Sequence, residues 1–238
     1  MKTQPVFRFF ALILAAVFLL PAAHPIAALT RPVVYYHGRR NQKTVALTFD
    51  DGPHPRYTEE ILAVLAAYDV HATFFFIGMN VESHPEIARR VCLAGHEIGN
   101  HTYSHPVMKQ TDPATVEAEI NRTDALLRDI GCEAVELFRP PQGLFDEELP
   151  ALLRRISKKA ILWNIDTRDW EHPSSGDILT NIESNLRGGD IILFHDFVSG
   201  ESSTVPAIKK LIPALLERGY RFVTVSELIG EGKTPASR

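Results

Sequence analysis

The chain has 238 residues, of which 45% are apolar and 23% charged, with a formal net charge of −4. That length allows one α/β domain of barrel or sandwich size, or two small ones, and the ordinary composition excludes a fibrous or low-complexity chain. A mildly acidic balance gives no electrostatic hold on nucleic acid or anionic lipid.

The N-terminus differs in kind from the rest. Lys2 and Arg8 lead into the apolar run 9–20, and the small residues Ala22, Ala23, Ala27 and Ala28 follow. A positive start, a short apolar stretch and a small-residue zone form the layout of a secretory signal, with cleavage after Ala23 or Ala28 both fitting. The run is short for a membrane span of about 20 residues, so a permanent anchor is the second reading. We therefore expect an exported protein, secreted, periplasmic or at the cell envelope. Loss of residues 1–28, which hold no acid, takes the net charge from −4 to −6. Two cysteines, Cys92 and Cys132, are compatible with one disulfide in that compartment, but the simpler reading is a pair of buried free thiols.

In chain order, residues 32–36 read as a short strand, and 44–49 (TVALTF) as a buried one. Residues 57–68 show apolar positions at helical spacing. Residues 72–77 (ATFFFI) are strand-like and end at Gly78. A helix over 85–93 is opened by Ser83-His84-Pro85 and closed by Gly95. Residues 97–100 lead into His101, and 113–130 form a longer helix with Asp112 as N-cap and Gly131 as stop. Strands over 134–138, 160–165, 190–194 and 221–225 then alternate with helices over 147–156, 177–186 and 205–218. Such alternation, with no linker-like stretch, predicts one α/β domain with a largely parallel sheet.

Polar residues follow strand after strand. The 44–49 strand ends in Asp50-Asp51 ahead of the breaker Gly52-Pro53, and 97–100 runs into His101 and His105. The 134–138 strand ends in Arg139, 160–165 in Asp166 and Asp169, and 190–194 in His195-Asp196. The carboxyl ends of parallel strands lie on one face of a barrel or one crevice of an open sheet, so these groups should converge. Asp-Gly alone is ordinary turn chemistry. Yet two adjacent carboxylates raise one another's pKa unless a cation sits between them. His101-Thr102-Tyr103-Ser104-His105 spaces two imidazoles by four, and one helical turn would bring both to the same face. With a nearby carboxylate they form a two-histidine, one-carboxylate set suited to zinc or another divalent transition metal. One aspartate would then bind the ion while the other takes a proton from water.

TFDDGP at 48–53, HTYSH at 101–105, RPPQG at 139–143, DTRDW at 166–170 and LFHD at 193–196 together resemble, in order, the five motifs of the polysaccharide deacetylase family (carbohydrate esterase family four). The resemblance spans about residues 44–228. It implies a distorted (β/α) barrel of about seven strands, with 29–238 as a single catalytic domain after a signal at 1–28. It also implies hydrolysis of N-acetyl, or sometimes O-acetyl, groups on chitin, peptidoglycan or xylan. The substrate would be a polysaccharide or oligosaccharide, with no stable protein partner. By the same resemblance Asp50 is the general base, and Asp51, His101 and His105 hold a divalent metal, zinc first, with cobalt or nickel also accepted. Arg139 pairs with and orients Asp50. His195 is the general acid, tuned by Asp169 rather than Asp166. Trp170 and Leu193 shape the groove around the acetyl methyl. The Gln142 backbone N–H assists the oxyanion, although the family often carries an aromatic residue at that position, which leaves the polymer open.

Other features have plainer readings. Trp163 and Phe74, Phe75 and Phe76 are core; His71, His84 and His172 lie near turns at the surface; Arg154-Arg155 and Lys158-Lys159 form a solvated helix end. His54 and Tyr57 lie close to the first motif but receive no role. Two other function classes compete. A non-catalytic carbohydrate-binding protein on the same fold would be expected to lack Asp50 or His195. A glycosidase using paired carboxylates would leave the two histidines unexplained.

Overall fold

The computed structural model describes residues 33–132 and 135–230. The export signal read from residues 1–28 therefore lies outside the described residues. Among those described, no helix is long and apolar enough to cross a membrane.

The organising strand, β2 (Thr44–Asp50), is buried along its whole length. Its alternation decides the architecture, because successive side chains of a strand point to opposite faces. Val45, Leu47 and Phe49 join the large outer cluster with helical residues such as Ile61, Leu65, Ile208 and Leu211. Ala46 joins an inner cluster with Phe75, Leu137, Ile161 and Ile191. Thr48 and Asp50 share the face of Ala46, so the carboxylate that ends the strand is aimed into the barrel.

Around it the elements follow in order. They are β1 (Val34–Tyr35), β2, α1 (Tyr57–Ala67), β3 (Thr73–Phe76), α2 (Gly78–Ser83), α3 (Pro85–Leu93), β4 (Glu97–Asn100) and α4 (Pro113–Asp129). Then come β5 (Leu137–Phe138), α5 (Leu149–Arg155), β6 (Lys159–Ile161), β7 (Ile165–Asp166), α6 (Ser175–Asn185), β8 (Asp190–His195), α7 (Thr204–Glu217), β9 (Arg221–Phe222) and α8 (Val225–Leu228). The sheet order is β1-β6-β5-β4-β3-β2-β8-β7, with β9 on β2, and every one of these strand pairs is parallel. The path begins at β1 and ends at β7, and the described residues form one half-barrel with helices outside, a distorted (β/α) barrel.

Most sequence expectations for the elements hold, and the departures have local causes. The strand expected over 160–165 divides into β6 and β7. Leu162 pairs back to Tyr35 while Asn164 pairs forward to Ile191, so the chain passes from one side of the opening to the other. The nine strands among the described residues exceed the expected seven partly for this reason. Residues 221–225 keep only a two-residue strand because Thr224 caps α8. The segment 78–83, not singled out in the sequence, forms a short helix. Asp112 caps α4 as expected, its side chain accepting from the Ala114 and Thr115 N–H groups. Lys158 is buried and pairs with Asp124 at 2.8 Å, so only Arg154 and Arg155 of that basic cluster are solvated.

The free-thiol reading of the cysteines is also corrected. Cys92 at the end of α3 and Cys132 after α4 form a disulfide, with Cα atoms 6.1 Å apart. Gly131, at φ 89°, ends α4 in a conformation that suits glycine and brings Cys132 to α3. The bond closes a loop of 40 residues of separation, for which a stabilisation of about 2–4 kcal/mol is typical. Reduction, or the double change Cys92→Ser/Cys132→Ser, should lower the denaturation midpoint by a corresponding amount in a urea titration.

Candidate active site

Five strand ends supply the site. Asp50 ends β2, His101 follows β4, Arg139 follows β5, Asp169 follows β7 and His195 ends β8. Asp50 and His195 are register partners in the β2–β8 pair. The Arg139 N–H donates to the Asn100 carbonyl at 2.9 Å, which fixes the loops after β5 and β4 together.

The two adjacent aspartates enter different surroundings. Asp50 is 3% exposed, and its Oδ1 accepts from Arg139 Nη1 at 2.6 Å. Arg139 is itself fully buried and donates further to Thr48 Oγ1 (2.9 Å), Ile161 O (2.9 Å) and Leu162 O (3.3 Å). Asp51 takes the left-handed conformation at φ 77°, and His101 Nε2 lies near both carboxylates, 3.9 Å from Asp50 Oδ2. Asp51 Oδ1 lies 3.4 Å from His101 Nε2 and 3.5 Å from His105 Nε2. That oxygen is buried and has no hydrogen-bond partner among the described residues. Burial by itself would raise the Asp51 pKa, but the facing imidazoles of His101, His195 and His105 outweigh it and hold the carboxyl below its ordinary value.

His101 Nδ1 is 2.7 Å from the Arg139 carbonyl, an acceptor only, so this nitrogen carries the proton. Its Nε2 is then the nitrogen turned toward Asp51, 3.4 Å from Oδ1. One oxygen of Asp51 and one ring nitrogen each from His101 and His105 lie within 4.8 Å of one another, as a shared ion requires. The imidazoles reach this arrangement without the expected helical turn. Residues 101–107 form a loop in which Thr102 (φ 66°) and His105 (φ 55°) are left-handed.

On the neighbouring strand β8, His195 Nδ1 bonds Asp169 Oδ1 at 2.7 Å, and its backbone N–H donates to Asp169 Oδ2 at 2.8 Å. Burial lowers the tendency of His195 to charge, yet the hydrogen bond and charge of Asp169, helped by Asp50 and Asp51, lift its pKa to about 9. Asp166, the less favoured tuner, accepts instead from the Arg168 N–H. Leu193 is buried beside Thr48 in register, while Gln142 and Trp170 expose their side chains on the loops after β5 and β7.

Sequence reasoning passed over three supporting groups. Thr48 steers Arg139. Asn100 accepts the Thr102 N–H at 2.8 Å. Asp196 is fully buried; burial pushes its carboxyl up to about 7, and Thr58 Oγ1 donates to it at 2.5 Å. Its carboxylate fills the space a Cβ on Gly52 would need, which is why glycine must follow the aspartate pair. Asp196 stood inside a quoted motif and so carried a signal; Thr48 also did, but neither reveals its partner from spacing alone.

Known proteins resemble this chain in sequence and in fold. A family-wide sequence profile described as polysaccharide deacetylase matches residues 37–161. A peptidoglycan-N-acetylglucosamine deacetylase of Bacillus cereus is 39% identical over 191 residues, covering 79% of this chain and 89% of that protein. Among solved structures, a peptidoglycan N-acetylglucosamine deacetylase complexed with 4-naphthalen-1-yl-N-oxidanyl-benzamide superposes with TM-score 0.83 and 34% identity, over 88% of this chain and 99% of that one. A family four pseudoenzyme from Bacillus anthracis gives TM-score 0.80 and 30% identity, over 90% of this chain and 74% of that one. The chain belongs to the polysaccharide deacetylase family and is a hydrolase of that family.

Proposed function

We propose that this protein hydrolyses the N-acetyl group of N-acetylglucosamine residues in an extracellular polymer, peptidoglycan first and chitin oligomers next. The observation that carries the reading is the division of the aspartate pair, one carboxylate against a buried arginine and the other facing two imidazoles. Asp51, His101 and His105 would hold a divalent ion, zinc by preference, with cobalt or nickel as substitutes. The fit rests on the unpartnered buried oxygen of Asp51 and on the Nε2 atoms of His101 and His105 that face it. Such an ion supplies a Lewis acid that lowers the pKa of water to about 7 and polarises an amide carbonyl.

The protein's own groups do the rest. Asp50, oriented by Arg139, accepts a proton from the attacking water as its oxygen bonds to the acetyl carbon. The Gln142 N–H, on a left-handed residue at φ 59°, would donate to the oxyanion. His195 gives its proton to the sugar nitrogen as the C–N bond breaks, leaving acetate and a free amine. An amine is a poor leaving group unless protonated, so a charged imidazole held by Asp169 suits the task. Trp170 and Leu193 would bound the acetyl methyl. Residues 1–28 would direct export and 29–238 form the catalytic domain. The disulfide supports that location, because such bonds persist outside the reducing cytoplasm.

The test is acetate release from peptidoglycan, chitin oligomers and acetylated xylan by protein stripped of metal and reloaded with Zn²⁺ or Co²⁺. Metal-dependent acetate with unchanged chain length is the expected result. Shortened chains would favour a glycosidase, and no acetate from any substrate would favour a non-catalytic binding role. Asp50→Asn should lower kcat by about 10²–10⁴-fold. The acid form of His195 is the active one, so the rate should fall as pH rises through about 9. Asp169→Asn removes the charge that raises this pKa, and the alkaline limb of the pH–rate profile should move to lower pH.

A further inference from the structure

The loop that presents His101 and His105 has two left-handed non-glycine residues, Thr102 and His105, and no regular structure of its own. Such a segment holds its shape only when it is fixed from outside. Helix α4 fixes it at two points. Deep in the fold, Asn100 accepts the Thr102 N–H, and its amide donates to Ile120 O (2.8 Å) and Asp124 Oδ1 (2.7 Å) on that helix. Asp124 is held in turn by the buried Lys158. At the rim, Glu119 accepts three hydrogen bonds from the stretch between the two histidines. The donors are the Tyr103 N–H (2.9 Å), the Ser104 N–H (2.7 Å) and the Ser104 hydroxyl (3.0 Å). The loop closes on itself where His105 N–H meets Thr102 Oγ1 at 3.1 Å.

We infer that Glu119, which lies outside all five motifs, is a positioning residue that sets the spacing of the two imidazoles and so the affinity for the divalent ion. The inference rests on the ligand set proposed above. A carboxylate is the suitable group, because ionised it only accepts, and here two convergent backbone N–H groups and a hydroxyl donate to it. Glutamine at the same position can keep its oxygen on the two backbone N–H groups and turn its NH₂ to the Ser104 hydroxyl, which can accept, but it loses the negative charge. A graded loss therefore follows, with alanine worse than glutamine.

Zn²⁺ affinity, read by competition with a chromophoric chelator, tests this on the whole mature chain. Glu119→Ala should weaken binding by about 10- to 100-fold, the usual cost of removing a group that orients metal ligands. Glu119→Gln should lose less, and the Co²⁺ absorption spectrum of both should change. Glu117→Ala is the control: that carboxylate lies on the same helix but bonds Arg155, at 2.7 and 2.8 Å, so wild-type affinity is expected. Wild-type affinity in Glu119→Ala would overturn the inference. So would equal affinity losses in the alanine and glutamine variants with a matching fall in metal-free melting temperature, the mark of a purely structural role. If the alanine variant does not fold, the glutamine variant decides on the same criteria. Absence of Zn²⁺ binding by the wild type would instead overturn the ligand set itself.

Discussion

The buried ion pair between Arg139 and Asp50 is the constraint on which the rest of the site depends. A guanidinium with no exposure is tolerable only when its donors are met and its charge is balanced. Here the Asp50 carboxylate, the Thr48 hydroxyl and the Ile161 and Leu162 carbonyls meet those donors, and the guanidinium carbon lies over the Phe75 ring, 4.1 Å from its centroid. The pair therefore ties β2, β5 and the end of β6 together across the barrel interior. It also gives Asp50 a fixed position and a permanent counter-charge. The two neighbouring carboxylates thus have separate partners, Arg139 for Asp50 and the imidazoles of His101 and His105 for Asp51.

The same logic appears beside that ion pair at the end of β8, where Asp169 meets His195. That aspartate is fully buried and accepts from His195 twice and from the Thr204 hydroxyl. The consequence is a histidine that stays charged well above neutrality. Three aspartates thus occupy three roles by environment alone: one paired with arginine, one facing two imidazoles, one raising the pKa of a third imidazole. Asp196 is a fourth, unlike the others in having little to balance its charge, and it serves to wedge the chain after β8 against Gly52.

Much of this was legible in the sequence because it depends on local periodicity and on one topological rule. The continuous apolar run of β2, the helical spacing of α1 and α7, and the cap at Asp112 are local signals, and each appears where expected. The convergence of Asp50, His101, Arg139, Asp169 and His195 follows from the rule that parallel strands end on one face. Features set by long-range partners were hidden. A four-residue spacing suggested a helical turn for His101 and His105, whereas backbone donors captured by Glu119 and Asn100 hold a left-handed loop. Lys158 looked like a solvent-facing lysine because its partner, Asp124, lies 34 residues away. The cysteines gave no decisive sign of pairing because only the folded path of α3 and α4 brings them together.

The adjacent aspartates have separate tasks in the proposed reaction, and metal binding separates those tasks most directly. Calorimetric Zn²⁺ titration of Asp50→Asn and Asp51→Asn should show one ion bound per chain with near wild-type affinity in the first. In the second, binding should be lost or weakened by at least about 10-fold. Equal losses in both variants, or loss confined to Asp50→Asn, would contradict the division of roles on which the site is built.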